Sequence, residues 1–162
     1  MAEKQLDDLF LDTLKDIYYA EKLILKALPK MAKAAVLPDL KAGFEQHAAE
    51  TEAQIERLEQ VFELLGKAPR GKPCDAILGI IEEGKEIMEE YKGTQALDAG
   101  LVSAAQAVEH YEIARYGTLA TWAKQLGHKE ALNLFLATLD EEKATDEKLS
   151  SLAEASVNLK AA

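Results

Sequence analysis

AQAVEHYEIARYGTLATWAKQLGHKEALNLFLATLDEEKATD, residues 105–146, is the stretch whose reading decides the fold. Up to Leu126, one stripe of residues (Val102, Ala105, Glu109, Glu112, Tyr116, Leu119, Ala123, Leu126) recurs at helical spacing, which places them on one helix face. After Gly127 and His128 the same period resumes through Leu132, Phe135, Leu139, Glu142, Asp146, Leu149 and Ala153. A glycine directly after the last periodic residue stops a helix, so the chain is expected to double back there. Both apolar stripes run straight into acids. Carboxylates on an inward face are costly unless a cation or a proton joins them.

Taking the turn as centred between Gly127 and His128, Glu112 stands about 15 residues before it and Glu142 about 15 after. Glu109 and Asp146 are each about 18 or 19 away, and equal distances from the turn of a hairpin mean equal heights at roughly 1.5 Å per residue. The amino-terminal half repeats the pattern. A helix predicted from about Leu6 to Ala34 carries Phe10, Leu14, Ile17, Glu21, Ile24, Leu28 and Met31. Pro29 should kink it or force local adjustment. After a turn at Val36, Leu37 and Pro38, Asp39 is expected to cap a second helix. That helix is predicted over residues 39–65, with Gly66 ending it. Its inward stripe reads Leu40, Phe44, His47, Glu50 or Thr51, Gln54 or Ile55, Leu58, Phe62 and Leu65. Glu21 lies about 15 residues before this turn and Glu50 about 13 or 14 after it.

Residues 67–73 hold Pro69, Gly71 and Pro73 among basic side chains and read as a solvated loop. Asp75 is expected to cap a shorter helix over 75–92, with Ile77, Leu78, Ile80, Ile81, Ile87 and Met88 forming much of its apolar surface. The remaining helices are predicted over 95–126, weakened locally by Gly100 and Gly117, and 129–156, with a frayed tail beyond Ser156. Favoured helix formers dominate and β-branched residues are scattered. The expected fold is therefore all-α: one domain over 1–162, two antiparallel hairpins joined by a long crossover containing a short extra helix. Such connectivity is that of a ferritin-like four-helix bundle.

A net charge of −10 argues against a nucleic-acid surface. No apolar run has the length of a membrane span and none follows a basic start, so neither membrane nor signal peptide is expected. A single cysteine, Cys74, precludes an intrachain disulfide and fits a cytoplasmic protein. There is no Ser-His-Asp arrangement of recognisable spacing and no glycine-rich phosphate loop.

Glu21, Glu50, Glu109, Glu112, Glu142 and Asp146 are thus the candidate metal ligands, with His47 either a further ligand or a hydrogen-bonded core histidine. Six carboxylates cannot share a dry site uncompensated; two divalent ions and one or two protons would balance them. Hard oxygen donors favour iron, manganese or magnesium. The alternative is that the acids reach solvent or pair with Arg57 or Arg115. His110 points about 100° away from Glu109 and is expected at the surface or behind the ligands. Tyr116, one turn beyond Glu112, is expected to pack in the core, with donation to a carboxylate or the carrying of oxidising equivalents as its alternatives. Cys74 reads as a small apolar residue. The apolar side of the extra helix is a natural dimer patch.

The stretches Asp16-Ile-Tyr-Tyr-Ala-Glu21, His47-Ala-Ala-Glu-Thr51 with Arg57-Leu-Glu-Gln-Val-Phe62, Ala107-Val-Glu-His-Tyr-Glu112, and Thr138-Leu-Asp-Glu-Glu-Lys143 with Asp146 resemble the YciE/YciF-like stress-protein family of the ferritin-like superfamily. The resemblance covers nearly the whole chain. It implies a four-helix bundle with an additional short helix, a homodimer and a role in stress responses, without implying a reaction. By the superfamily pattern, Glu21 would be a terminal ligand and Glu50 and Glu142 bridging carboxylates, with Glu109 and Glu112 completing the third-helix contribution. One departure stands out: where the common pattern has a His three residues after a Glu on two helices, this chain has Ala53 after Glu50 and Thr145 after Glu142. Two functions compete on this reading. One is a di-iron or di-manganese carboxylate protein acting on oxygen or peroxide. The other is a metal-free homodimer with a structural or partner-binding role.

Overall fold

Each long helix buries one stripe and exposes the rest, and the turns at residues 35–37 and 127–128 are short. The structure, a computed structural model, describes residues 2–162, and among these every regular element is helical. The helices are α1 (Leu6–Ala34), α2 (Pro38–Leu64), α3 (Asp75–Glu90), α4 (Leu97–Leu126) and α5 (Lys129–Leu152), followed by a π-turn at Ala153–Val157 and a short α6 (Asn158–Ala161). α1 packs on α2, α4 on α5, α2 on α5 and α1 on α4, so the four long helices close a ring. α3 lies across α4 and α1. The core inside the ring includes Phe10, Leu14, Ile17, Phe44, Leu58, Phe62, Leu101, Leu119 and Phe135, all essentially inaccessible.

Helix ends depart from the sequence reading where the partner is distant in the chain. α2 begins at Pro38 with Leu37 as its cap residue, and Asp39 falls in the first turn instead of capping. The turn is held from outside: both carboxylate oxygens of Asp98, at the start of α4, accept backbone N–H bonds from Val36 (2.8 Å) and Leu37 (2.7 Å). Likewise Cys74, not Asp75, caps α3, its sulfur accepting from the Ile77 N–H. α1 continues through Pro29, which sits on the exposed side, where water can satisfy the carbonyl a proline leaves free. The tail does not fray at Ser156. The π-turn re-aims the chain so that Val157 is buried, and helix continues to Ala161.

Two glycines matter to the architecture. Gly127 takes φ +79° at the α4–α5 turn, letting the His128 N–H return to the Ala123 carbonyl at 2.8 Å. Gly100 lies under α3, where an added Cβ would come 2.5 Å from Ile87 Cγ2. Its role is thus close helix approach. α3 turns Ile77 and Gly84 fully inward, with Ile80, Ile81, Ile87 and Met88 half-covered.

Candidate metal centre

The inward stripes deliver four carboxylates and an imidazole to the middle of the ring. Glu21 from α1, His47 from α2, Glu109 and Glu112 from α4, and Glu142 from α5 are all buried. Two groups of their ligating atoms each lie within 4.8 Å: His47, Glu109 and Glu142 in one, Glu21, Glu112 and Glu142 in the other. Glu142 belongs to both. The i,i+3 spacing of Glu109 and Glu112 places one carboxylate in each group from a single face of α4.

These side chains are short of partners. Both carboxylate oxygens of Glu112 and of Glu142, one of Glu21, one of Glu109, and both ring nitrogens of His47 are buried with no hydrogen bond. His47 Nε2 is 2.7 Å from Glu109 Oε1, yet the two are out of line for a hydrogen bond. Buried polar atoms are nearly always paired, and unpaired donors and acceptors converging on one place is the arrangement that ligands of a common ion adopt. The one fixed contact is from Tyr116, whose hydroxyl donates to Glu21 Oε1 at 2.7 Å. Its ring also packs against Phe135, so Tyr116 is at once a core residue and a donor to a carboxylate.

Without a cation, protons must supply the compensation. Burial lifts the Glu21 carboxyl to about 7, against the opposing effect of the adjacent Glu112 side chain and of the Tyr116 hydroxyl. Burial, then the charge of Glu142, Glu21 and Glu109, pushes Glu112 well above the usual carboxylate range. Glu142 is raised in the same direction by burial and then by Glu109. Burial alone would push the His47 imidazole down, but the Glu109 and Glu50 carboxylates beside it outweigh that and raise it.

Glu50 and Asp146 stand apart from the cluster. Thr51 takes the fully inward place on α2, and Glu50 is rotated partly outward, with its Oε2 3.7 Å from His47 Nδ1. It accepts bonds from Gln46 (3.0 Å) and Thr145 (3.4 Å), and the His47 ring holds its carboxyl below the ordinary value. Asp146 lies level with Glu109 but four residues past Glu142, a step that turns it about 40° around the helix. It faces the flank of α4, meeting His110 Nε2 at 3.1 Å and the Gln106 amide at 3.2 Å. His110 is mostly exposed, as expected from its direction.

Arginine does not neutralise the inner acids. Arg57 makes a two-pronged pair with Glu141 (2.9 and 2.6 Å) and also donates to Thr138. Arg115 lies over the Tyr111 ring. The buried Gln54 donates to the same Glu141 carboxylate at 3.0 Å, so a polar strut joins α2 to α5 beside the acids. The sequence reading missed this strut. Its only signal was Arg57 and Glu141 at comparable heights on neighbouring helices. It missed a second network as well: Tyr111 donates to Asp16 (2.8 Å), and its oxygen lies 3.0 Å from the Cys74 sulfur. With the phenolic proton committed to Asp16, the thiol is the donor to Tyr111. Cys74 is thus buried, but as a cap and a hydrogen-bonding group.

The fold and site define an all-helical protein with a cluster of carboxylates and one imidazole buried among four long helices. The chain belongs to the family described as a domain of unknown function, DUF892, whose model matches residues 5–162. It is 48% identical to Protein YciF of Escherichia coli (strain K12) over 99% of this chain and 98% of that protein. The crystal structure of the E. coli stress protein YciF superposes with a TM-score of 0.91 at 46% identity, covering 96% of this chain and 99% of that one. YcfI from Rhodopseudomonas palustris, a protein proposed to be structural, superposes with a TM-score of 0.89 at 51% identity, covering 91% and 94%. Among the described residues no helix is long and apolar enough to cross a membrane.

Proposed function

We infer that this chain is a ferritin-like bundle holding a pair of divalent ions, iron or manganese, and that it acts on oxygen or peroxide in a stress response. The observation that carries the reading is the set of buried, unpartnered carboxylate oxygens and imidazole nitrogens in two groups that share Glu142. Glu21 and Glu112 would hold one ion, His47 and Glu109 the other, with Glu142 common to both. Four carboxylates against two divalent cations balance in charge, whereas a single ion would leave two of them to be neutralised by protons. Bound ions of this kind supply redox equivalents and Lewis acidity.

The protein's own residues set the rest. Tyr116 orients Glu21 through its hydroxyl. The Arg57–Glu141–Gln54 strut fixes α2 against α5 and so the approach of His47 toward Glu142. Glu50 faces the other ring nitrogen of His47, behind the cluster, where a carboxylate strengthens an imidazole as a ligand. The stress-protein description of the E. coli relative supports the setting. A cytoplasmic homodimer using α3, which keeps Leu78 exposed and is followed by the exposed Tyr91, completes the reading.

The second reading, a metal-free structural dimer, is favoured by one feature: the raised values of Glu21, Glu112 and Glu142 allow protons to neutralise the site. Elemental analysis of protein purified without chelators, beside Glu109→Ala and Glu142→Ala, separates the two. The metal reading expects about two iron or manganese ions per chain, lost in both variants. No metal, even after anaerobic addition of ferrous iron, overturns it.

A further inference from the structure

A cavity of about 210 Å³ opens between the helices, and the buried His47 and Glu109 form part of its lining. Its walls are mostly apolar, with Leu23, Ile24, Met31, Phe44, Val108 and Leu149 among them. An apolar cavity of about 150 Å³ takes up benzene, so this one has room for a somewhat larger hydrocarbon body. Its polar lining is uneven. Besides Glu109 the one lining carboxylate is Glu50, while Lys26, Lys30, Lys85 and Lys148 all border it. In a chain of net charge −10, four lysines around one cavity are a local reversal of sign.

Two of them are available. Lys148 is engaged with Gln46 (3.2 Å) and Lys85 with Glu82 (3.3 Å). Lys26 and Lys30, one turn apart on α1 and both exposed, have no ion-pair partner among the described residues. Ammonium groups at the rim and hydrocarbon walls behind them match a molecule with an anionic head and an apolar body.

We propose that this cavity binds a medium-chain monocarboxylate, its head on Lys26 and Lys30 and its chain running inward toward His47 and Glu109. The proposal names a ligand class for the centre inferred above. Only the meaning of the inner end, a hydrocarbon terminus beside the metal ligands, rests on that reading; binding itself does not. Neutral alcohols of the same length fill the walls but gain nothing from the rim.

Calorimetric titration of octanoate and of 1-octanol into chelator-treated, full-length protein tests this, with Lys26→Gln/Lys30→Gln and Ala105→Leu as variants. Ala105 lines the cavity, and a larger side chain there takes up its space. Saturable binding of one octanoate is expected, about tenfold tighter than octanol, as two modest ion pairs allow. The double lysine variant should abolish that preference while keeping octanol binding, and Ala105→Leu should weaken both. Circular dichroism checks that the variants stay helical. Absence of octanoate binding, equal affinity for octanol, or binding unaffected by both variants would each overturn the proposal. Metal content is read separately on the same preparation: octanoate binding without metal uptake refutes the metal reading alone, and metal uptake without octanoate binding refutes this one alone.

Discussion

Replacing Glu21 with Gln should make the metal-free protein more stable at alkaline pH and less able to hold metal. Glu21 is fully buried, and its carboxyl titrates near 7 in the folded chain against 4.5 when free. A carboxyl raised in this way favours folding most below its unfolded value. As pH climbs from 4.5 to 7, the unfolded chain releases its proton while the folded one retains it, so stability falls, and above 7 the loss is complete. At roughly 1.4 kcal/mol per pKa unit the accumulated cost is about 3 kcal/mol. Glutamine has nearly the same shape, and its amide oxygen can still accept the Tyr116 hydroxyl that Glu21 Oε1 accepts now. Glu21→Gln should therefore leave stability at pH 5 nearly unchanged and raise it at pH 8 by up to about 3 kcal/mol, or roughly 6 to 12 °C in Tm for a chain of this size. Thermal denaturation of chelator-treated protein across that range measures it, and ferrous iron uptake on the same samples should fall. A variant that is destabilised equally at both pH values would show that the Glu21 carboxylate is satisfied in the folded chain, and the orphaned-acid reasoning would fail with it.

Three further outcomes follow from the geometry. Raising pH through 7 should enlarge the Tm increase produced by added manganese or ferrous iron, because the ions displace protons held by Glu21, Glu112 and Glu142; an increase that is the same at pH 6 and pH 8 contradicts it. Asp98→Ala removes the acceptor for the Val36 and Leu37 N–H groups and should cost about 2 kcal/mol in urea unfolding, with a change within experimental error counting against the clamp. Gly100→Ala would bring its Cβ to 2.5 Å from Ile87 Cγ2, so it should destabilise by about 1 kcal/mol or more despite alanine's better helix propensity. That loss should largely vanish in an Ile87→Ala background, and an equal loss in both backgrounds would place its cause elsewhere.

What could be read from the residues alone was whatever depends on period and on height. Glu21, Glu109, Glu112 and Glu142 share faces with long apolar stripes, and the short turns at Val36 and Gly127 set their levels, so their convergence was legible before any coordinates. Asp146 passed the same height test and still faces away, because height says nothing of the last 40° of rotation. Helical period offers Glu50 and Thr51 equally for one inward place, and the buried hydroxyl takes it, leaving Glu50 beside the His47 ring. Features that depend on partners far along the chain had no local signature. Asp98 reaches across 61 residues to the first turn, Cys74 caps α3 while its thiol answers Tyr111, and the π-turn ends on Val157, which is buried.

The site's chemistry rests on a competition that the fold makes unavoidable. Four carboxylates and an imidazole are buried, with most of their polar atoms unpartnered, and nothing in the ring of helices offers them an arginine or lysine. Arg57, the nearest candidate by sequence, is fully occupied by Glu141. Only protons or metal ions remain to neutralise the cluster, and each occupies it at the other's expense. The protonated state is self-consistent at low pH, where Glu21, Glu112 and Glu142 keep their protons. Near neutrality it loses ground, since at least Glu21 is then half-titrated, and the advantage passes to divalent cations. A helical protein with no such task would reach greater stability by replacing these acids with apolar residues of similar volume, a change often neutral or stabilising by 1–4 kcal/mol for buried charges. On the proposed metal reading, four long helices each contribute an acid or an imidazole to one point for the ions they would hold and not for the fold they inhabit.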